Sequence, residues 1–154
     1  MQRKQNYGSE ITDGSKLKIA VVVSKFNSDI TGGMLQGALE TLEKNKVKKN
    51  NIEIIQTPGA FEIPLTCQKL ARTKKFDALI DLGCVIKGGT DHYYFVSGET
   101  ARGIMDVMLK YGIPIGFGVI TTNNLKQAQV RSRGKGNKGI EAARAVLEMT
   151  APIL

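Results

Sequence analysis

The sequence predicts an α/β fold in which a four-stranded parallel sheet carries helices on both faces. Residues 17–26 form a near-continuous run of β-branched residues, which is typical of a strand buried on both faces. Four strand-like segments alternate with segments of helical periodicity, and this alternation favours parallel strands joined by right-handed crossovers. The length of 154 residues suits one domain, which we place at residues 17–154 after an N-terminal segment of residues 1–16.

The order of the elements follows from the same patterns. After the strand at 17–26, apolar residues recur at helical spacing from Ile30 to Leu42, and Ser28 or Asp29 is expected to cap this helix. The further predicted strands are 51–56, 78–86 and 114–122. The further predicted helices are 65–72, a helix that follows the turn at His92 and ends at about residue 111, 124–131 and 137–149.

The charge of the chain indicates the chemistry of its partners. Lys and Arg number 22 against 14 Asp and Glu, which gives a formal net charge of +8. Such an excess indicates either nucleic acid or phosphorylated small molecules. Aromatic residues make up only 6% of the chain, and stacking platforms of interleaved aromatic residues are missing. We therefore expect small-molecule substrates and no nucleic-acid partner.

Cysteine usage and hydropathy indicate a cellular compartment. Cys67 and Cys84 do not have the spacing of a metal site or a redox motif, so both are expected to be reduced core residues. No apolar run reaches the roughly 18 residues of a membrane span. The polar N-terminus lacks the apolar stretch of a secretory signal. The sequence thus predicts a cytoplasmic protein with no membrane partner.

The unusual turns of this sequence all follow predicted strands. In a parallel sheet, ligands bind beyond the carboxyl ends of the strands. The turns there are Phe26-Asn27, residues 58–62, residues 87–92 and residues 121–124. We expect these turns to line one rim.

Three features of these turns could carry chemistry, each with a simpler alternative. Gly88 and Gly89 could bring backbone N–H groups to a phosphate before a helix, or could merely form a tight turn. His92, the only histidine, could exchange protons near neutral pH, although a lone histidine is often a bystander. Glu62 could accept hydrogen bonds from a polyol, or could complement the dipole of the following helix.

Residues 134–139 match the pattern G-x-G-x-x-G, but they follow a predicted helix instead of a strand. This context argues against a dinucleotide site. The basic turn that begins at Arg131 could instead close on a phosphate through charge-assisted hydrogen bonds.

Five segments together resemble the lumazine synthase family in order and spacing, from about residue 17 to residue 149. They are VVVSKFN, TPGAFEIP, GCVIKGGTDHYYFV, PIGFGVITT and GNKGIEAA. The resemblance implies a flavodoxin-like three-layer α/β/α sandwich. It also implies a transferase of riboflavin biosynthesis, which condenses 5-amino-6-ribitylamino-uracil with 3,4-dihydroxy-2-butanone 4-phosphate to 6,7-dimethyl-8-ribityllumazine and releases phosphate. No cofactor and no metal is implied.

The resemblance further implies a role for each matching residue. His92 would transfer protons. The pyrimidine and its ribityl chain would be held by Phe26, Asn27, Gly59, Ala60, Phe61, Glu62, the backbone of Val85 and Ile86, and Phe117 of a neighbouring subunit. The phosphate would be bound by Gly89, Thr90, Arg131 and Lys138.

The resemblance implies self-association as a homopentamer or a larger assembly, with residues 9–13 adding a strand to a neighbouring sheet. Three positions depart from the family's pattern: Lys87 replaces a usual arginine, Tyr94 an acidic residue and Gly98 a common asparagine. These departures leave one alternative open, a flavin- or lumazine-binding relative with weak or no catalysis.

Overall fold

The computed structural model describes residues 12–151. Its strands are β1 (Ile19–Ser24), β2 (Ile52–Thr57), β3 (Ala78–Ile86) and β4 (Ile115–Thr122). Its helices are α1 (Ser28–Lys44), α2 (Ile63–Arg72), α3 (His92–Tyr111), α4 (Leu125–Val130) and α5 (Lys138–Thr150). Each predicted strand and helix after residue 16 is therefore present. The strand expected at residues 9–13 falls largely outside the described residues, and Thr12 and Asp13 belong to no strand.

The four strands form one parallel sheet, as the sequence predicted, and their order in the sheet is β2-β1-β3-β4. All six residues of β1 are buried, because this strand lies in the middle of the sheet between two helical layers. The edge strands β2 and β4 keep exposed positions. The β-branched run at residues 17–26 thus identified a central strand.

The core has two halves, one on each face of the sheet. Ile19, Val21 and Val23 pack against α1 and α5 in one cluster. Ala20 and Val22, which point the other way, pack against α2 and α3 in the second cluster. This alternation produces the predicted three layers.

The start of α1 differs from the prediction that Ser28 or Asp29 caps it. Ser28 is already the first helical residue, and Asn27 precedes it with a φ of 59°. This left-handed conformation is costly for most side chains but tolerated by asparagine. The Asn27 side chain makes no capping bond, and its Nδ2 instead donates to the carbonyl oxygen of Cys84 at 3.1 Å. The cap prediction is therefore wrong, and Asn27 ties the end of β1 to β3.

Cys67 and Cys84 are both buried free thiols, in agreement with the prediction. Burial, together with the negative charge of Asp29, raises the pKa of the Cys84 thiol to about 11, so this group stays protonated at neutral pH. Among residues 12–151, no helix combines the length and the apolar character that a membrane crossing needs.

Candidate active site

A cavity of about 390 Å³ opens at the carboxyl end of the sheet, on the face that α2 and α3 cover. It is lined by Phe26, Gly59, Ala60, Phe61, Glu62, Cys84, Val85, Ile86, Gly88, Thr90, His92, Tyr93 and Val96. Three of the four predicted turns contribute to this lining. The fourth turn, residues 121–124, contributes none.

The cavity is largely apolar at its mouth. Phe26 and Phe61 line it with side chains that remain 70% and 58% exposed. Large aromatic groups left in water beside a cavity are characteristic of binding sites, because their faces can stack on a flat ring. The mouth therefore suits a planar heterocycle.

The end of β3 supplies backbone hydrogen-bonding groups. The pairing of β3 with β1 ends at Leu82, whereas its pairing with β4 continues to Ile86, so residues 83–86 extend past β1. The carbonyl oxygen of Cys84 points to the β1 side, where it accepts a hydrogen bond from Nδ2 of Asn27. Because backbone directions alternate along a strand, Ile86 directs its own N–H and C=O to the same side. Lys87 points the opposite way and donates to Thr122 on β4.

At the end of β3, Ile86 and Val85 therefore present different groups to the cavity. The side chain of Ile86 packs on the α1 and α5 face, so its main chain lines the cavity. The side chain of Val85 packs on the α2 and α3 face, where the cavity lies. A ligand meets backbone at Ile86 and an apolar side chain at Val85.

Glu62 lines the cavity, and its carboxylate is held by the turn that precedes α2. Its Oε2 accepts a hydrogen bond from the backbone N–H of Gly59 at 2.9 Å, which closes the turn before α2. A carboxylate has lone pairs on both oxygens, so this bond leaves room for ligand hydroxyls. The bond to Gly59 holds the carboxylate at the cavity wall.

His92 is the first residue of α3, and its exposed side chain lines the cavity. Its backbone N–H donates to Oγ1 of Thr90 at 3.4 Å, which connects the preceding turn to the helix. Neither Gly88 nor Gly89 has a positive φ, and a Cβ added at either would meet nothing within 4 Å. The tight-turn alternative therefore does not explain these glycines, and the space above them is open to a ligand.

Comparisons with known proteins agree with this geometry. A sequence model of the family described as 6,7-dimethyl-8-ribityllumazine synthase matches residues 16–152. A curated protein of Desulfovibrio desulfuricans with that same description is 46% identical over 137 residues, which cover 88% of this chain and 88% of the relative. This chain belongs to the 6,7-dimethyl-8-ribityllumazine synthase family.

Lys87 and Tyr94, two of the three residues that depart from the lumazine synthase pattern, contact each other. Nζ of Lys87 lies 5.4 Å from the centre of the Tyr94 ring, and the hydrogen bond that the Lys87 ammonium donates to Tyr94 raises the pKa of this amine. Tyr94 also packs edge-on against Tyr93, with ring centres 5.3 Å apart. The cavity is lined by Tyr93 and not by Tyr94. The third departure, Gly98, has open space where a Cβ would stand.

Several predicted site residues of this lumazine synthase family member lie apart from the cavity. Phe117 pairs with Asp81, five residues before the carboxyl end of β4, which is about 16 Å along the strand. Arg131 follows α4 and Lys138 begins α5, the helix on the opposite face of the sheet. One chain thus does not bring these three residues to its own cavity.

The remaining two predicted residues adjoin the cavity without lining it. Asn27 contacts it through the carbonyl group of Cys84, and Gly89 lies between the lining residues Gly88 and Thr90. The sequence prediction also missed Cys84, Tyr93 and Val96 as lining residues. Val96 follows His92 by one helical turn, so the periodicity of α3 could have identified it.

Within residues 12–151, no group of three or more His, Cys, Asp and Glu side chains has an arrangement that could hold a metal ion. The ion pair of Lys138 is local, with Nζ lying 2.8 Å from Oε2 of Glu141. Nη1 of Arg131 donates to the carbonyl oxygen of Gln127 at 3.0 Å, which leaves other guanidinium donors for a ligand.

Proposed function

We propose that this protein condenses 5-amino-6-ribitylamino-uracil with 3,4-dihydroxy-2-butanone 4-phosphate to give 6,7-dimethyl-8-ribityllumazine, phosphate and water. The observation that carries this proposal is the meeting of Phe26, Glu62 and His92 at one cavity in a chain of the lumazine synthase family. An aromatic face, a carboxylate and a proton carrier are the groups that such a substrate pair requires.

The pyrimidine binds at the apolar mouth of the cavity. Phe26 stacks on the ring, and the main chain of Ile86 offers a donor and an acceptor to the edge of the ring. Glu62, held in place by Gly59, accepts hydrogen bonds from ribityl hydroxyls. Asn27, Ala60 and Phe61 frame the same space.

His92 moves protons during imine formation, phosphate elimination and ring closure. General acid–base catalysis contributes about 10²–10⁴ in rate, whereas holding two reactants together can contribute about 7–11 kcal/mol. Positioning by the cavity therefore supplies the larger part of the rate enhancement. His92 assists a reaction that the binding residues make possible.

The phosphate binds between the turn of Gly89 and Thr90 and the cations Arg131 and Lys138. Because those cations lie apart from the cavity of their own chain, a neighbouring copy supplies them, together with Phe117. Exposed apolar side chains on α2, α3 and β4 support such an assembly, since they form the kind of surface that partners bury. They are Leu65, Phe95, Met105, Leu109 and Phe117. The assembly is a cytoplasmic homopentamer or a multiple of it.

The test is to incubate the purified protein with both substrates and to follow the absorbance of the lumazine. We expect product formation that requires both substrates. Tight flavin binding without product would instead indicate the flavin-binding alternative, which the family comparisons do not favour. Light scattering on the same sample measures the mass of the assembly, and a monomer would contradict the shared site.

A further inference from the structure

The two cations proposed for the phosphate stand at the two ends of one turn. This turn, residues 131–138, connects α4 to α5. The backbone N–H of Lys138 donates to the carbonyl oxygen of Arg131 at 2.8 Å, so the ends of the turn meet. Whatever holds this turn to the body of the protein therefore holds both cations together.

The Asn137 side chain makes that attachment. It is 7% exposed, and its Nδ2 donates to the carbonyl oxygen of Gly33 in α1 at 3.0 Å and to that of Ser132 in the turn at 3.2 Å. Its Oδ1 accepts from the backbone N–H of Gly139 at 2.9 Å, which caps α5. One buried amide thus joins α1, the turn and α5, with both of its N–H groups and its oxygen in use.

The packing around this amide leaves no room for the turn to move towards α1. A Cβ at Gly33 would lie 2.5 Å from the carbonyl oxygen of Ser132. A Cβ at Gly37 would overlap the Asn137 amide, and a Cβ at Gly139 would overlap the carbonyl oxygen of Met34. The turn therefore lies directly on the backbone of α1, and the side chain of Asn137 donates a hydrogen bond across this contact to Gly33.

We propose that Asn137 is a positioning residue for phosphate binding, because it fixes the turn that carries Arg131 and Lys138 against α1. This inference rests on the proposed function, in which those two cations bind the phosphate of the ketone substrate. Asn137 itself does not touch the substrate. Its effect is confined to the phosphorylated ketone and does not extend to the pyrimidine.

The substitution Asn137→Asp separates this role from helix capping. Aspartate retains the oxygen that accepts from Gly139, and it caps helices as well as asparagine does. It loses both donated bonds and places a carboxylate against the carbonyl oxygens of Gly33 and Ser132. The matched control is Asn124→Asp, since Asn124 caps α4 through its oxygen, which accepts from the Gln127 N–H at 2.9 Å.

The experiment measures initial rates of the assembled protein with each substrate varied in turn, for the wild type, Asn137→Asp, Asn124→Asp and Arg131→Ala. We expect Asn137→Asp to raise the KM for 3,4-dihydroxy-2-butanone 4-phosphate by about tenfold, the effect of about one buried hydrogen bond. The KM for the pyrimidine should change by less than about twofold, a small fraction of that free energy. Inorganic phosphate should raise the Tm of the wild type more than that of the variant.

Each outcome supports or overturns the proposal. An unchanged ketone KM in folded Asn137→Asp, with a raised one in Arg131→Ala, would overturn the positioning role while leaving the proposed function intact. An unchanged KM in Arg131→Ala would overturn the phosphate assignment and the positioning role with it. If Asn137→Asp does not fold, the KM for the ketone is measured in Asn137→Ser and in Gly33→Ala instead. Serine retains an oxygen that can cap α5. The alanine Cβ at position 33 pushes the turn away from α1. Unchanged ketone KM values in both would refute the inference.

Discussion

The Cys67 thiol donates a hydrogen bond to Oδ1 of Asp81 across 2.9 Å, in the interior between α2 and β3. Asp81 is completely buried, and its Oδ2 has no hydrogen-bond partner among residues 12–151. An ionised carboxylate at this place would be a buried charge with one weak neutral donor, which is costly. Burial accordingly raises the pKa of Asp81 to about 7, and the bond from Cys67 lowers it by less.

We predict that the free energy of unfolding falls as pH rises from 3.8 to about 7. In this window the folded protein retains a proton on Asp81 that the unfolded chain has released. Raising the pH therefore favours the unfolded chain and lowers the stability of the folded form. The loss approaches about 4 kcal/mol once the pH exceeds both pKa values. Denaturant unfolding at several pH values measures it.

Asp81→Asn should remove most of this pH dependence, since the amide is neutral at every pH. Asp77→Asn, at an exposed carboxylate just before β3, is the control and should retain the wild-type slope. A slope in Asp81→Asn equal to that of the wild type would refute the assignment.

We predict that His92→Ala slows the reaction by about 10²-fold or more without abolishing it. The residual rate comes from the cavity residues, which still hold the two substrates together. Single-turnover measurements of lumazine formation separate this effect from binding. Activity lost completely despite normal pyrimidine binding would show that His92 does more than transfer protons.

We predict that Arg131→Ala raises the KM for the phosphorylated ketone by about 10–100-fold, since a charge-assisted hydrogen bond is among the stronger kinds. The pyrimidine KM should not change. Arg72→Ala is the control, because Arg72 ends α2 and donates to the Tyr111 hydroxyl instead of facing the turn. An equal rise of the ketone KM in both variants would show that the effect comes from the lower net charge of the protein and not from a phosphate contact of Arg131.

We predict opposite effects from two glycines of α1. Gly32→Ala should stabilise the protein by about 0.5–1 kcal/mol, because a Cβ there meets nothing within 4 Å and alanine favours the helix. Gly37→Ala should destabilise it by about 1–3 kcal/mol, because its Cβ overlaps the Asn137 amide. Thermal unfolding of both variants decides, and equal Tm shifts would contradict the packing described around Asn137.

The sequence predicted what depends on local patterns. β1 was predictable because all of its residues are apolar or small and are buried, and α3 because its helical periodicity follows a glycine-rich turn. Three of the four turns expected at the rim do line the cavity, and they were predictable because parallel strands all end at the same edge of the sheet. These rules also placed Phe26 and His92 at one end of the molecule.

What depends on distant contacts was not predictable. The partner of Asp81 lies 14 residues away on another element, so no periodicity indicates the pair. Asn27 combines a left-handed conformation with a hydrogen bond from its amide to Cys84, 57 residues along the chain, and no local pattern indicates that partner. The separation of Arg131 from the cavity follows from the face of the sheet on which α4 and α5 lie, and the residues around Arg131 do not indicate that face.

Because β3 extends past β1, the backbone amide of Ile86 can report whether a ligand occupies the cavity. Amide hydrogens paired in the β3–β4 ladder are protected from exchange with solvent, whereas the Ile86 amide faces the β1 side beyond the last β1 pair. In deuterated water this amide should exchange quickly in the free protein and slowly once a pyrimidine ring is bound. Its exchange rate would then read out binding of the first substrate in the absence of any chemistry.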